Sequence, residues 1–165
     1  LLLQDRADVA IVDETEQTDL VRYSSLFKYE MVAILANEHP LTRKPWLEAE
    51  DFRGESLITY AVPDERIDLC RKVLKPAGIP IRRKTTELTM AIIQQVACQR
   101  GIAALPIWAV SEYLEKKYVT AKSITENKLI SEVWLATLTE NIDKGYVNDF
   151  IGFTRQRCLR LLDEI

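Results

Sequence analysis

The sequence predicts an α/β fold. Two observations carry that expectation. Between residues 56 and 124, short apolar runs alternate with segments whose apolar residues keep helical spacing, the pattern of βαβ units with mainly parallel pairing. The stretch ACQRGIAALPIW, residues 97–108, packs one such junction into a single segment: a helix running into Gly101, a short apolar strand, and a new helix beyond Pro106. A chain of 165 residues can bury such a fold's core without disulfides or metals.

The elements follow in order. ADVAIVDE (7–14) is a β-rich run ending in acids, as a buried parallel strand reads. LVRYSSLFKYEMVAILA (20–36) is one long extended stretch or two strands. Residues 37–55, punctuated by Pro40, Pro45 and Gly54, form a loop with a short helical turn near Leu47–Phe52. SLITY (56–60) is a strand. Ile67, Leu69, Cys70, Val73 and Leu74 keep helical spacing in a helix that Pro63 or Asp64 starts and Gly78 ends. IPIRRKTTE (79–87) is a strand whose basic residues 82–84 read as a solvated face rather than a phosphate site. LTMAIIQQVACQR (88–100) is a strong helix with Leu88, Ile92, Ile93, Val96 and Ala97 inward. Gly101 supplies its left-handed end. GIAALP (101–106) is a strand, 107–117 a helix, 118–124 and 130–138 strands, and 146–162 a terminal amphipathic helix.

Composition excludes several functions. The net charge is −3 and the pI about 5.3, so no basic face for nucleic acid announces itself. Cys70, Cys98 and Cys158 form no C-x-x-C pair, which fits free thiols in a reducing compartment. Helical periodicity puts Cys98 and Cys158 on inner faces. The lone histidine, His39, has no nucleophile or metal partner at motif spacing and reads as structural. No apolar run reaches membrane-spanning length, and no signal peptide opens the chain. The chain opens at Leu1 inside an amphipathic segment, which suggests a piece of a longer protein.

Four stretches together resemble the LysR-type transcriptional regulators. RADVAIV resembles the family's G-(D/E)-(L/V)-D-(L/V)-A-I strand. VAILANEHPLT resembles its hydrophobic strand followed by HPL. EDFRGESLITY resembles xDLxxxPLI, and QVACQRGIAALPIWAV resembles xVxxGxGIALLPxxxV. They stand in the family's order and spacing and cover nearly the whole chain. Within the family the MetR group, which regulates methionine biosynthesis, is the most similar, through residues 57–78 and 85–108. The resemblance implies a cytoplasmic effector-binding domain, not an enzyme, with the two-lobe fold of type 2 periplasmic binding proteins. One lobe is continuous over 37–118. The other combines 1–36 with 119–165 and is incomplete at its N-terminus. Crossovers lie near Leu35–Asn37 and Tyr118–Ala121.

The resemblance further implies a small-molecule effector in the cleft between lobes, homocysteine for the MetR group, and no cofactor or metal. It implies homo-oligomers through the regulatory domains, DNA contact only through an N-terminal helix-turn-helix outside this chain, and no membrane. An amino-acid ligand needs an anion holder, an acidic partner for its ammonium and an apolar wall. Thr86, Glu87 and Thr89 stand at the start of helix 88–100, whose N–H groups suit a carboxylate; Thr86 or Glu87 also suits helix capping. Glu87 either pairs with the ammonium or simply favours the helix dipole. Tyr60 and Ala61 end one strand, and Pro106 and Trp108 follow another. Tyr60 offers a ring and a hydroxyl, and equally fits a core edge. Trp108 is a wall or an inter-lobe packing residue. Asp13 faces the cleft or is a solvated loop acid. Two other functions compete: a thiol-based redox sensor on the same fold, which needs exposed, reactive thiols near each other, and a solute-binding protein, which lacks its signal peptide here.

Overall fold

The computed structural model describes residues 2–4 and 6–162. The chain divides into two compact units, Leu1–Tyr29 with Ser131–Ile165, and Glu30–Ile130. Helices and strands are mixed in both, so the α/β expectation holds.

In the first unit, β1 (Val9–Val12) pairs antiparallel with β8 (Leu129–Leu138) in the register Val9 to Thr137 and Val12 to Trp134. β8 lies beside β2, a single 15-residue strand over Val21–Leu35. Helix α3 (Gly145–Leu162) sets Val147 and Ile151, four residues apart and so on one face, against Leu26 and Leu135. The Thr139 N–H and hydroxyl donate to the carbonyls of Leu20 and Asp19, anchoring the approach to α3. β1 differs from the expectation of a buried parallel strand. It pairs antiparallel with β8, and Ile11 is 62% exposed. A short apolar run does not by itself reveal the direction of the strand it pairs with.

In the second unit, the MVAIL end of β2 is fully buried. Its cause is pairing on both edges: Val32, Ala33 and Ile34 face β6 (Ala103–Pro106) on one side and β7 (Thr120–Ile124) on the other. A strand covered this way reads as an unbroken apolar run. Both pairings are antiparallel, against the mainly parallel sheet expected. β2 enters from the first unit and belongs to no βαβ unit, so that rule does not set its direction. Parallel pairing joins β3 (Trp46–Leu47) with β7, β4 (Ser56–Thr59) with β5 (Arg82–Thr85), and Leu57 with Ile102 through a bridge. Helices α1 (Thr89–Ala97) and α2 (Ile107–Glu115) bring Ile92, Ile93, Val96 and Val110 into one core with Val32, Ile34, Ile58, Ala103 and Leu105.

Several local expectations are corrected. Leu88 is not inward: it is the N-cap of α1 and 63% exposed. The single helix expected after residue 63 is a 3-10 turn, Asp64–Arg66, then a π-helical segment, Leu69–Leu74. Its i to i+5 bonds, Lys75 N–H to Cys70 O and Ile79 N–H to Leu74 O, are both 2.9 Å. Leu69, Cys70, Leu74 and Ile79 are buried. His39 is structural: its Nδ1 accepts the Leu41 N–H (3.3 Å), capping a short 3-10 turn, and its Nε2 lies 3.6 Å from Glu55 Oε1. Among the described residues no helix is long and apolar enough to cross a membrane.

Gly101 has a different task from the one expected. The left-handed residue that ends α1 is Gln99, at φ 56°. Gly101 sits at φ 153°, and a Cβ there would stand 2.2 Å from the Ser56 carbonyl oxygen. The strands approach so closely because Ile102 N–H donates to Ser56 O (2.9 Å) and Ile58 N–H to Ile102 O (2.8 Å). Gly101→Ala must push β4 from β6 and should cost about 2–3 kcal/mol, lowering the melting temperature by about 5–10 °C. Gly78→Ala, at φ 65° with nothing within 4 Å, carries only the left-handed strain of about 1 kcal/mol. Thermal melts of the two variants check this; equal losses would refute a steric role for Gly101.

Candidate functional site

Because β4, β5 and β6 run parallel, their carboxyl ends share one edge of the second unit. Thr59 is in register with Thr85, and the Thr86 N–H donates to Thr59 O (3.0 Å). The chain leaves β5 there and enters α1 at Thr89; it leaves β6 at Pro106 and enters α2 at once. Ligands of open α/β sheets bind at such an edge.

The structure places the expected residues unevenly. Tyr60 and Thr89 meet directly, Tyr60 Oη lying 2.6 Å from Thr89 Oγ1. Thr86 is joined to the end of β4 through its backbone. Ala61 and Glu87 are exposed, and Pro106 and Trp108 stand at the end of the adjacent strand, Trp108 exposed. Asp13, also exposed, follows β1 in the other unit. Neither Thr86 nor Glu87 caps α1. The N-cap is Leu88, and no side chain caps the helix. Its first-turn N–H groups therefore keep their demand for an acceptor. Leu88 and Met90 flank this end as apolar surface, 63% and 65% exposed.

Arg83 is the residue that sequence reasoning missed. In the basic run, Arg82 and Lys84 are solvated as expected, but Arg83 is not; its side chain is 18% exposed. The guanidinium grips the chain leaving β4. Nε donates to Thr59 Oγ1 (3.0 Å), and Nη2 to Thr59 Oγ1 (2.9 Å), Tyr60 O (2.9 Å) and Val62 O (2.8 Å); Nη1 pairs with Asp64. The Val62 N–H also donates to Tyr60 O (2.9 Å), closing a tight bend. The available signal was alternation: in a strand, the middle of three residues faces opposite to its neighbours.

This edge can hold an anion. Uncapped helix N–H groups, the positive end of the helix dipole and two hydroxyls converge on one place. The exposed Glu87 carboxylate can meet a cationic group, and Leu88 with Met90 can cover an apolar chain.

The cysteines are arranged only partly as expected. Cys98 is exposed at the end of α1 and so is not the inner-face residue expected, whereas Cys158 is half-buried on α3, seven residues beyond the buried Ile151 and so on the same face. The helical period carried beyond Ala97 fails because α1 stops there. Cys70 is fully buried, and desolvation, assisted by the Asp64 charge, pushes its thiol up to about 11.

Comparison with known proteins agrees with this fold. Residues 1–159 match the family described as LysR substrate binding domain. The HTH-type transcriptional regulator MetR of Haemophilus influenzae is 51% identical over 162 residues, which are 98% of this chain and 52% of that protein. The chain thus spans about half the length of that relative. The Escherichia coli K12 regulator of the same name is 35% identical over 125 residues, 76% of this chain and 39% of its own. Among solved structures, the regulatory domain of a MetR from N. meningitidis overlays with a TM-score of 0.90 at 52% identity, covering 96% of this chain and 74% of that one. The effector-binding domain of QuiR, solved with shikimate, shares the fold at 23% identity and a TM-score of 0.75, covering 94% of this chain and 74% of its own. The class is the two-lobe, periplasmic-binding-protein-like α/β fold.

The thiols give a test with a defined sign. A water-soluble maleimide at neutral pH should modify Cys98 first and leave Cys70 protected until the protein unfolds. Unfolded Cys70 ionises near its ordinary value of 9.0 and folded Cys70 only near 11. Its contribution is therefore complete below pH 9 and is lost as pH rises toward 11, by up to about 2–3 kcal/mol. Urea midpoints measured across that range should fall more steeply in the wild type than in Cys70→Ala; parallel profiles would contradict this.

Proposed function

The chain belongs to the family of LysR substrate-binding domains, and from that premise we propose that it is the effector-binding domain of a MetR-like transcriptional regulator and that its effector is homocysteine. The observation that carries the ligand reading is the Tyr60–Thr89 hydroxyl pair, 2.6 Å apart, at the uncapped start of α1. The ligand carboxylate takes the open N–H groups and the Thr89 hydroxyl. Glu87 receives its ammonium. The thiol-bearing chain lies along Leu88 and Met90, with Tyr60, Ala61, Thr86, Pro106 and Trp108 completing the surround. The ligand regulates by binding two states of the protein unequally. DNA binding and homo-oligomerisation belong to the whole regulator, the former through a helix-turn-helix segment outside this chain, and control of methionine biosynthesis genes follows from the same reading.

Homocysteine at about 100 times its dissociation constant should add about 2.7 kcal/mol and raise the melting midpoint by roughly 5–10 °C. Methionine, cysteine and O-acetylserine should shift it less. Thr89→Val should remove most of the shift. Glu87→Gln should weaken homocysteine by about tenfold, the worth of one charged hydrogen bond, and leave its deaminated thiol-acid analogue unaffected. A wild-type midpoint that ignores homocysteine would sink the assignment of effector.

A further inference from the structure

We propose that Arg83 is a positioning residue for this site: it fixes the affinity for an amino-acid ligand through Tyr60, without touching the ligand and without lending its charge. The inference rests on the reading of the edge as an amino-acid site. It follows from three features of the second unit.

The first is the fork. One guanidinium holds the side chain of Thr59, the carbonyls of Tyr60 and Val62, and the Asp64 carboxylate. The residues it engages run from Thr59, the last of β4, to Asp64, and Tyr60 lies among them. A planar set of five N–H donors can span such a bend; a single ammonium cannot.

The second is the other end of Tyr60. Its hydroxyl reaches Thr89 Oγ1 at the first residue of α1. A line of hydrogen bonds therefore runs from Arg83 to the Tyr60 backbone and from the Tyr60 hydroxyl to the helix end. A shift of the bend displaces that hydroxyl and frees Thr89 to turn.

The third is neutralisation. Asp64 pairs with the guanidinium and is held against it by geometry. At close range the pair presents little net charge to a ligand carboxylate, so the influence of Arg83 on that carboxylate is geometric. Substitution by lysine keeps the charge and removes the fork. It therefore separates position from electrostatics.

The test has two readouts. The first needs no ligand: the NMR signal of the ring carbon bearing the hydroxyl in Tyr60, identified as the one lost in Tyr60→Phe. In Arg83→Lys it should move toward the position of a solvated tyrosine. An unmoved signal overturns the proposal whatever the protein binds. The second is homocysteine affinity by calorimetry. Arg83→Lys should weaken it by about tenfold, equivalent to one hydrogen bond to a charged group. Arg83→Lys should add nothing in a Tyr60→Phe background, because the path through the hydroxyl is already cut. Additive losses, or unchanged affinity in Arg83→Lys, overturn it. Should Arg83→Lys fail to fold, Thr59→Val removes the acceptor shared by Nε and Nη2 at nearly constant volume, and its Tyr60 signal must move in the same direction. If the wild type binds no homocysteine and the signal moves, the effector assignment fails while the positioning of Tyr60 by Arg83 stands.

Discussion

Two backbone hydrogen bonds hold the second unit's working edge together. Ile102 N–H to Ser56 O and Ile58 N–H to Ile102 O join β4 to the entry of β6. They require the backbones to approach to a distance at which only glycine fits at position 101. Through them, and through the parallel register of β4 with β5, three strands end side by side. The starts of α1 and α2 follow from that alignment, as does the meeting of Tyr60 with Thr89. If the join slipped, each site residue could keep its own element and still lose its neighbours.

What the sequence disclosed, and what it hid, follows from the range of the interactions concerned. Helical spacing found the inner face of α1 through Ile92, Ile93 and Val96, and an unbroken apolar run found the buried end of β2. Those signals are local. The antiparallel direction of β2 against β6 and β7 was hidden, because it depends on how the chain arrives from another unit. The antiparallel direction of β1 against β8 was hidden for the same reason. Leu88 and Cys98 were both assigned inward by extending the period of α1 past its real ends, where it no longer applies. At the candidate site, the order of elements along the chain anticipated that Tyr60, Thr86 and Thr89 stand at neighbouring strand and helix ends. Arg83 was hidden because a run of three basic residues looks uniform until strand alternation sets its middle member apart.

The site also shows a division of labour. The residues proposed to meet a ligand are mostly exposed or half-exposed: Tyr60, Ala61, Glu87 and Thr89. Those that hold them are buried or paired: Thr59, Arg83 and the glycine-dependent strand contact. Side chains with few packing constraints can change to suit another ligand, while the support beneath them stays.

The long strand β2 has a consequence for how the chain acquires this structure during synthesis. The second unit is contiguous, Glu30–Ile130, so its contacts are all available once that stretch has left the ribosome. The first unit is not. Its β1 must wait for β8, pairing residue 9 with residue 137, and its Leu26 must wait for Val147 and Ile151 of α3. Closing so long a loop is slow unless something shortens it. The folded second unit does so, because β2 leads into it and β8 leads out. The connectivity thus favours one order of assembly: the inserted unit first, and the unit built from the two segments that flank it last.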